Sequence, residues 1–288
     1  MSSGILFAIC ALFAWAFDDF YIGRATKKIQ SLPALLGLSV LGLVILTPFV
    51  LPQLVSLSIS TQLWTALFYL VLCTCVAAYA DFEALRLGKL SVIDALYAFE
   101  IPITAILAFA FLGERLSPVQ ICLVVSLVTG MLLVATQNLP SRKTFHWEKG
   151  VGYAIISIIC MGAVNFLIGY SARLSSPLLV NWVSYFGLAL FSMTLLSLKG
   201  VFIKTIGIVR ENKRFVIPLA IADVIAWSAF AYSTTRIPIG IATAISETYI
   251  LVAIILGITL NKERITPRQV LGICITLTSG GLLLFTLT

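Results

Sequence analysis

The chain has 288 residues, of which 60% are Ala, Val, Ile, Leu, Met, Phe, Trp, Tyr or Cys and only 11% are charged, against roughly 25% charged residues in an ordinary soluble domain. A mean hydropathy of +1.07 excludes a soluble enzyme and makes lipid the main solvent. A membrane span needs about 20 apolar residues, so ten spans would use nearly all of these residues and leave no extramembrane catalytic domain.

Apolar runs broken by charged, Pro or Gly punctuation predict helices over 4–23, 33–52, 63–83, 91–112 and 117–136. The first lacks a basic n-region and a small-residue cleavage pattern, so it reads as a retained helix and not a signal peptide. It carries Trp15, and Asp18 and Asp19 fall in its last turn. The fourth carries Glu100 midway, two residues before Pro102, whose missing N–H leaves the Ala98 carbonyl without its helical donor. A polar connector over 137–149, with His146, follows the fifth. Five more runs cover 150–172, 176–198, 215–234, 238–260 and 267–287. The runs 91–112/117–136 and 238–260/267–287 are close enough to form tight hairpins. Between the seventh and eighth runs, Gly200–Phe215 mixes bases with apolar residues and has two readings, an interfacial segment or a basic loop.

The halves resemble each other. Asp19-Phe20-Tyr21-Ile22-Gly23 matches Asn165-Phe166-Leu167-Ile168-Gly169, and Glu114-Arg115-Leu116-Ser117-Pro118-Val119-Gln120 matches Glu263-Arg264-Ile265-Thr266-Pro267-Arg268-Gln269, in the same order within each half. This predicts an internal duplication, with copies at 1–136 and 150–288 joined by the connector 137–149. Five spans is an odd number, so the second copy enters the membrane from the opposite side. The expected fold is an all-α integral membrane protein of ten transmembrane helices arranged as two inverted five-helix repeats, an architecture that points to transport.

Sixteen of the 19 basic residues fall on one side of a ten-span layout, and only Arg115, Arg173 and Arg236 fall on the other. The positive-inside rule then places both termini outside the cytoplasm, in a multi-pass protein of the cell (inner) membrane. The net charge of +7 is a topology signal; a nucleic-acid partner would require clustered bases with interleaved aromatics in a polar domain.

The acids behave differently. Asp18, Asp19, Asp94, Glu100, Asp223 and Glu247 lie within apolar runs, with no Lys or Arg comparably deep. An ionised group at a helix centre costs about 2.5–3.5 kcal/mol on insertion scales, so these carboxyls must be protonated, paired or facing a wet cavity. Glu100 and Glu247 occupy matching midplane positions and are the leading candidates for binding substrate or a proton. Asp18 and Asp19 point about 100° apart, so one at most is expected to face a narrow cavity while the other pairs with Arg24 or meets the interface. Asn165 holds the equivalent place in the second copy, and Asp223 is a further cavity candidate. Asp94, three residues after Ser91, reads as a helix cap. Asp81, close in sequence to Arg86 and Lys89, reads as a gate or interface ion pair. Trp15, Tyr79, Tyr97, Trp227, Tyr232 and Tyr249 could pack a substrate, because a carboxylate beside an aromatic face suits an ammonium group.

The six cysteines all sit in apolar runs and read as small hydrophobes, and His146 is the only histidine. No His-ligated metal, Ser–His hydrolytic site or P-loop is expected, and no cofactor. Any coupling must come from a gradient.

Trp15 with a polar residue three positions on, Glu100-Ile101-Pro102 followed by Leu112-Gly113-Glu114-Arg115-Leu116-Ser117, and Lys262-Glu263-Arg264-Ile265-Thr266 followed by Gly280-Gly281 resemble the EamA branch of the drug/metabolite transporter superfamily. The sequence departs from that family at Asn261-Lys262, where Gly-Glu is usual, and the family is commonly described with cytoplasmic termini. The resemblance implies a small-metabolite carrier, many members exporting amino acids, with a central cavity lined by both copies. The expected function is a secondary transporter of a small, amine-bearing solute working by alternating access, with proton coupling. The expected partners are that solute and membrane lipid, and fusion of two copies lets one chain work as a monomer. A carrier of nucleotide sugars or phosphorylated metabolites is the alternative, and would require deep bases. A membrane enzyme on lipid-linked substrates would require clustered polar groups near one interface, where only Asp81, Glu83, Arg86 and Lys89 qualify. A sensor or scaffold would show no flux.

Overall fold

The computed structural model describes residues 2–54, 60–88, 93, 96–135, 150–252 and 266–286. Every regular element among them is a helix: α1 (Ser2–Ile29), α2 (Ser31–Leu54), α3 (Thr61–Leu87), α4 (Glu100–Leu112), α5 (Pro118–Ala135), α6 (Val151–Leu174), α7 (Pro177–Leu198), α8 (Phe202–Glu211), α9 (Lys213–Thr234), α10 (Ile239–Ser246) and α11 (Pro267–Phe285). Among the described residues, seven helices are long and apolar enough to cross a membrane, and Glu100–Leu112, Pro118–Leu133 and Ile239–Val252 are shorter apolar helices. The connector 137–149, Asp94, Lys89, and the expected motif residues Lys262, Glu263 and Arg264 lie outside the described residues.

Two expectations need correction, and one open reading gains structure. α1 runs on to Ile29, because Ile22, Ala25 and Ile29 continue its buried face and Lys27 and Lys28 suit the negative end of the helix dipole. Gln30, at φ 69°, ends it. Asp18 and Asp19 therefore lie well inside the helix. The fourth and ninth spans, expected to be continuous, are both interrupted. Turns replace helix at Ala98–Phe99 and at Glu247–Thr248, next to the two glutamates. At the first break Pro102 cannot donate to Ala98, and Phe99 N–H bonds the Leu96 carbonyl instead. At the second, the hydroxyls of Thr243, Ser246 and Thr248 bond back to the carbonyls of Ile239, Ala242 and Ile245, a pattern that bends helices. Finally, Gly200–Phe215 contains a helix, α8, with Thr205 buried and Ile203, Lys204, Ile206 and Arg210 exposed.

The pairing of helices is reciprocal between the halves. α1 packs on α9 and α3 on α6; α2 packs on α7, α4 on α10, and α5 on α11. The lesser contacts obey the same rule, α4 with α6 answering α1 with α10, and α3 with α7 answering α2 with α9. The major contacts thus come with their converse, as expected of two copies of one unit. The repeated Ser-Pro-x-Gln and Thr-Pro-x-Gln stretches also find a physical role. Ser117 with Gln120, and Thr266 with Gln269, each exchange side-chain and backbone hydrogen bonds at the start of α5 and α11, two capping boxes with Pro in the first turn.

Candidate functional site

Four helices present an i, i+3, i+4, i+7-type stripe to one central cavity. α1 contributes Trp15, Asp18, Asp19 and Ile22; α6 contributes Met161, Val164, Asn165 and Ile168; α7 contributes Asn181, Ser184, Tyr185 and Leu188; and α3 contributes Thr74, Ala78, Asp81 and Phe82. This spacing is one face of a helix. It explains why Asp18 and Asp19 both line the cavity, contrary to the expectation of one: each lies within a turn of Trp15. Arg24 is not their partner, since its guanidinium sits 3.9 Å over the Phe20 ring. Leu35 and Leu38 of α2, Tyr97 and Glu100, Asp223 and Trp227, and Glu247 and Tyr249 complete the wall.

The cavity of about 90 Å³ has room for several waters at about 10–15 Å³ each. Six carboxyl groups face it, from Asp18, Asp19, Asp81, Glu100, Asp223 and Glu247, and among the described residues no Lys or Arg lines it. All six residues are buried. Neutral donors hold four of them. Asn165 Nδ2 donates to Glu100 Oε2 at 3.2 Å, the Tyr185 hydroxyl donates to Asp223 at 2.9 Å, and the Tyr97 hydroxyl donates to Asp81. Tyr249 donates to Asp19, leaving Asp19 Oδ2 with no partner. Trp15 stands edge-on to Trp227 with ring centres 5.0 Å apart, and 6.2 Å from the Tyr249 ring.

Two close approaches set this geometry. An added Cβ at Gly42 of α2 would lie 2.9 Å from Tyr185 Cγ, so only glycine admits the ring that carries the Asp223 donor. At Gly162 of α6 it would lie 2.7 Å from Ile103 Cβ, and the Gly162 carbonyl accepts from Thr104 Oγ1 at 3.0 Å. That contact fixes α4 against α6 beside Glu100.

The sequence matches the EamA-like transporter family twice, over residues 2–136 and 148–286. The chain belongs to that family. It is thus a multi-pass membrane transporter of the drug/metabolite transporter superfamily. A solved crystal structure is similar to this EamA protein at a TM-score of 0.68 over 97% of this chain and 96% of that one, with 13% sequence identity, a likeness of fold. Among curated proteins, none matches the sequence.

Of the residues expected at the site, the EamA protein brings Trp15, Asp18, Asp19, Tyr97, Glu100, Asn165, Asp223, Trp227, Glu247 and Tyr249 to one cavity. Tyr79 is not among them; it packs edge-on to Phe191. Tyr232 stacks on Phe7, under Arg236. Asp81 is a cavity residue; of its two expected ion-pair partners, Arg86 is taken by Glu83 at 2.5 Å and Lys89 lies outside the described residues. The sequence reading missed Asn181 and Tyr185. Neither polar atom of Asn181 has a hydrogen-bond partner among the described residues, although it is 1% exposed.

The two ends of the cavity differ. At one face, Arg173 donates to Glu114 Oε1 at 2.6 Å and to the carbonyls of Thr234 at 2.8 Å and Ile237 at 3.1 Å. Glu114 Oε2 accepts from the Ile239 N–H at 2.8 Å. This clasp ties the α4–α5 turn to α6 and to the start of α10. Gly4 of α1 lies against Arg236 and Ile237 on the same face. At the opposite face a cleft of about 520 Å³ shares Asp19 with the cavity and is lined by Gly23, Arg24, Lys27, Lys28 and Phe215.

Proposed function

We propose that this EamA protein is a secondary transporter of a small amine-bearing solute, an amino acid or related amine, moved by alternating access in exchange for protons. The carrying observation is the cavity itself: six carboxyl groups, six aromatic side chains beside them, and no lining Lys or Arg among the described residues. Carboxylates beside aromatic faces attract an ammonium group by charge and by the ring quadrupole, whereas a phosphorylated solute calls for Arg or Lys at that depth. Glu100 and Glu247, at the two helix breaks, contact the cationic group or exchange the proton, and unpartnered Asn181 supplies a donor and an acceptor to the rest of the solute. Discontinuous helices beside a central site are a recurrent device of inverted-repeat carriers. The reciprocal helix pairing, the odd number of spans per copy and the sixteen-to-three split of bases support ten spans in two inverted copies, with both termini outside the cytoplasm of a cell membrane. In that frame the Arg173 clasp closes the outer face, the cleft beside Asp19 leads inward, and a single chain suffices.

The test is flux in liposomes containing the purified protein. Amino acids and amines should be moved by an imposed pH gradient, with sugars and phosphorylated metabolites left behind; flux of phosphorylated solutes alone, or none, would contradict the reading.

A further inference from the structure

The hydrogen-bonding capacity of the cavity is one-sided. Most of its neutral donors are spent. The hydroxyls of Tyr97, Tyr185 and Tyr249 go to Asp81, Asp223 and Asp19, the Asn165 amide goes to Glu100, and the Ser184 hydroxyl goes to the Val180 carbonyl. The lining atoms left without a partner among the described residues are mainly acceptors. They include Asp18 Oδ1, Asp19 Oδ2, Asn165 Oδ1 and Asn181 Oδ1, on residues more than nine-tenths buried. Against these four oxygens stand two groups able to donate, the Asn181 amide nitrogen and the Thr74 hydroxyl. Asn165 turns its nitrogen to Glu100, so its oxygen is what it offers a solute.

Water can serve such atoms in the empty cavity, but a solute that displaces it must bring the donors itself or lose affinity. An ammonium group carries three N–H donors and accepts nothing. One amine therefore leaves at least one of the four oxygens unmet, whereas two can meet them all. An ionised carboxylate only accepts. It would find Asn181 and Thr74 to donate to it, set among six carboxyl groups with no lining Lys or Arg among the described residues. A buried acceptor without a donor costs its desolvation, and a buried charge without a counter-charge costs more.

We infer that the solute is a small diamine, carrying two ammonium groups and no carboxylate. The inference rests on the amine-transport reading above and narrows it from amines at large to those without an acid group. Asp18 and Asp19 of α1 take one ammonium group. The amide oxygen of Asn165, beside Glu100 on the matching stripe of α6, takes the other. Each cation thus meets a carboxyl, and the second charge separates a diamine from a simple amine.

The experiment is calorimetric titration of the purified wild-type protein with three solutes that differ by one group each: cadaverine, lysine, which adds a carboxylate to it, and pentylamine, which lacks its second amine. The Kd of cadaverine should be at least tenfold below those of lysine and pentylamine. In Asp18→Asn it should rise at least fivefold. Lysine binding as tightly as cadaverine would overturn the exclusion of a carboxylate, and pentylamine binding as tightly would overturn the second ammonium group; either result leaves the amine-transport reading standing. An unchanged cadaverine Kd in Asp18→Asn, with the variant folded by size-exclusion, would overturn the placement on α1. Binding by none of the three would overturn the inference together with the reading it rests on. The three-solute comparison uses wild type and so holds whether or not Asp18→Asn folds.

Discussion

Replacing Arg173 with Ala should open the outer face. The guanidinium makes one bond to Glu114 and two to backbone carbonyls, at 2.6, 2.8 and 3.1 Å. Its side chain is 30% exposed and that of Glu114 16%, so the ion pair itself deserves only the surface value of about 0.2–1 kcal/mol. The carbonyl bonds, at about 1 kcal/mol each for partly buried groups, bring the loss to about 2–3 kcal/mol, of which about 2 is the conservative figure. Glu114 keeps the Ile239 N–H, so the α10 end is not left without a partner. A loss of about 2 kcal/mol that applies only to the closed state shifts the closed-to-open ratio by roughly 30-fold. The assay is labelling of Ala11→Cys in a background lacking the six native cysteines, with a membrane-impermeant thiol reagent. Ala11 is fully buried, one turn before Trp15 on α1. Arg173→Ala should raise its labelling rate at least tenfold from the face opposite the basic cleft. An unchanged rate, with the variant still folded by size-exclusion, would refute the view that this clasp holds the face shut.

Other outcomes follow from particular contacts. Gly162→Ala pushes its Cβ to 2.7 Å from the stiff Ile103 Cβ and should destabilise by about 1–3 kcal/mol, seen as a lower Tm in detergent. Tyr185→Phe removes the donor to buried Asp223 and should cost about 1–3 kcal/mol; Gly42→Val, which displaces the same ring, should lower Tm in the same direction. Asn181→Leu should raise Tm by removing an unpartnered amide, with a gain of about 1–2 kcal/mol, while lowering flux, and both changes are measurable on one preparation.

The transmembrane character, the duplication and most of the cavity's carboxyl residues were legible in the sequence because hydropathy, repeated motifs and intramembrane carboxyls are local signals. The family resemblance agreed with the two-copy match over 2–136 and 148–286. Other features depend on which way a helix is turned. Asp81 looked committed to Arg86, five residues on, but its partner is Tyr97 on the next span. On α3 the lining stripe passes through Ala78 and Asp81, and Tyr79, about 200° from Asp81 around the helix, faces Phe191. The stripe of α1 admits Asp18 and Asp19 together, which an argument from the angle between two residues missed because it left Trp15 out. Asn181 and Tyr185 lie in an apolar run with no charge to mark them, although the α7 spacing from Asn181 through Leu188 repeats that of α1. The helix breaks were half visible: Pro102 announced the first, while the second arises from three hydroxyls turned back on their own helix.

The central claim is that the acidic cavity carries a cation against protons. Its most direct measurement is amine flux into liposomes driven by a pH gradient, in wild type and in Glu100→Gln. The account predicts gradient-driven flux in wild type, released protons in fixed ratio to the amine moved, and no coupled flux in Glu100→Gln despite an intact fold. Wild-type flux in Glu100→Gln, or amine movement in wild type indifferent to the gradient, would contradict it.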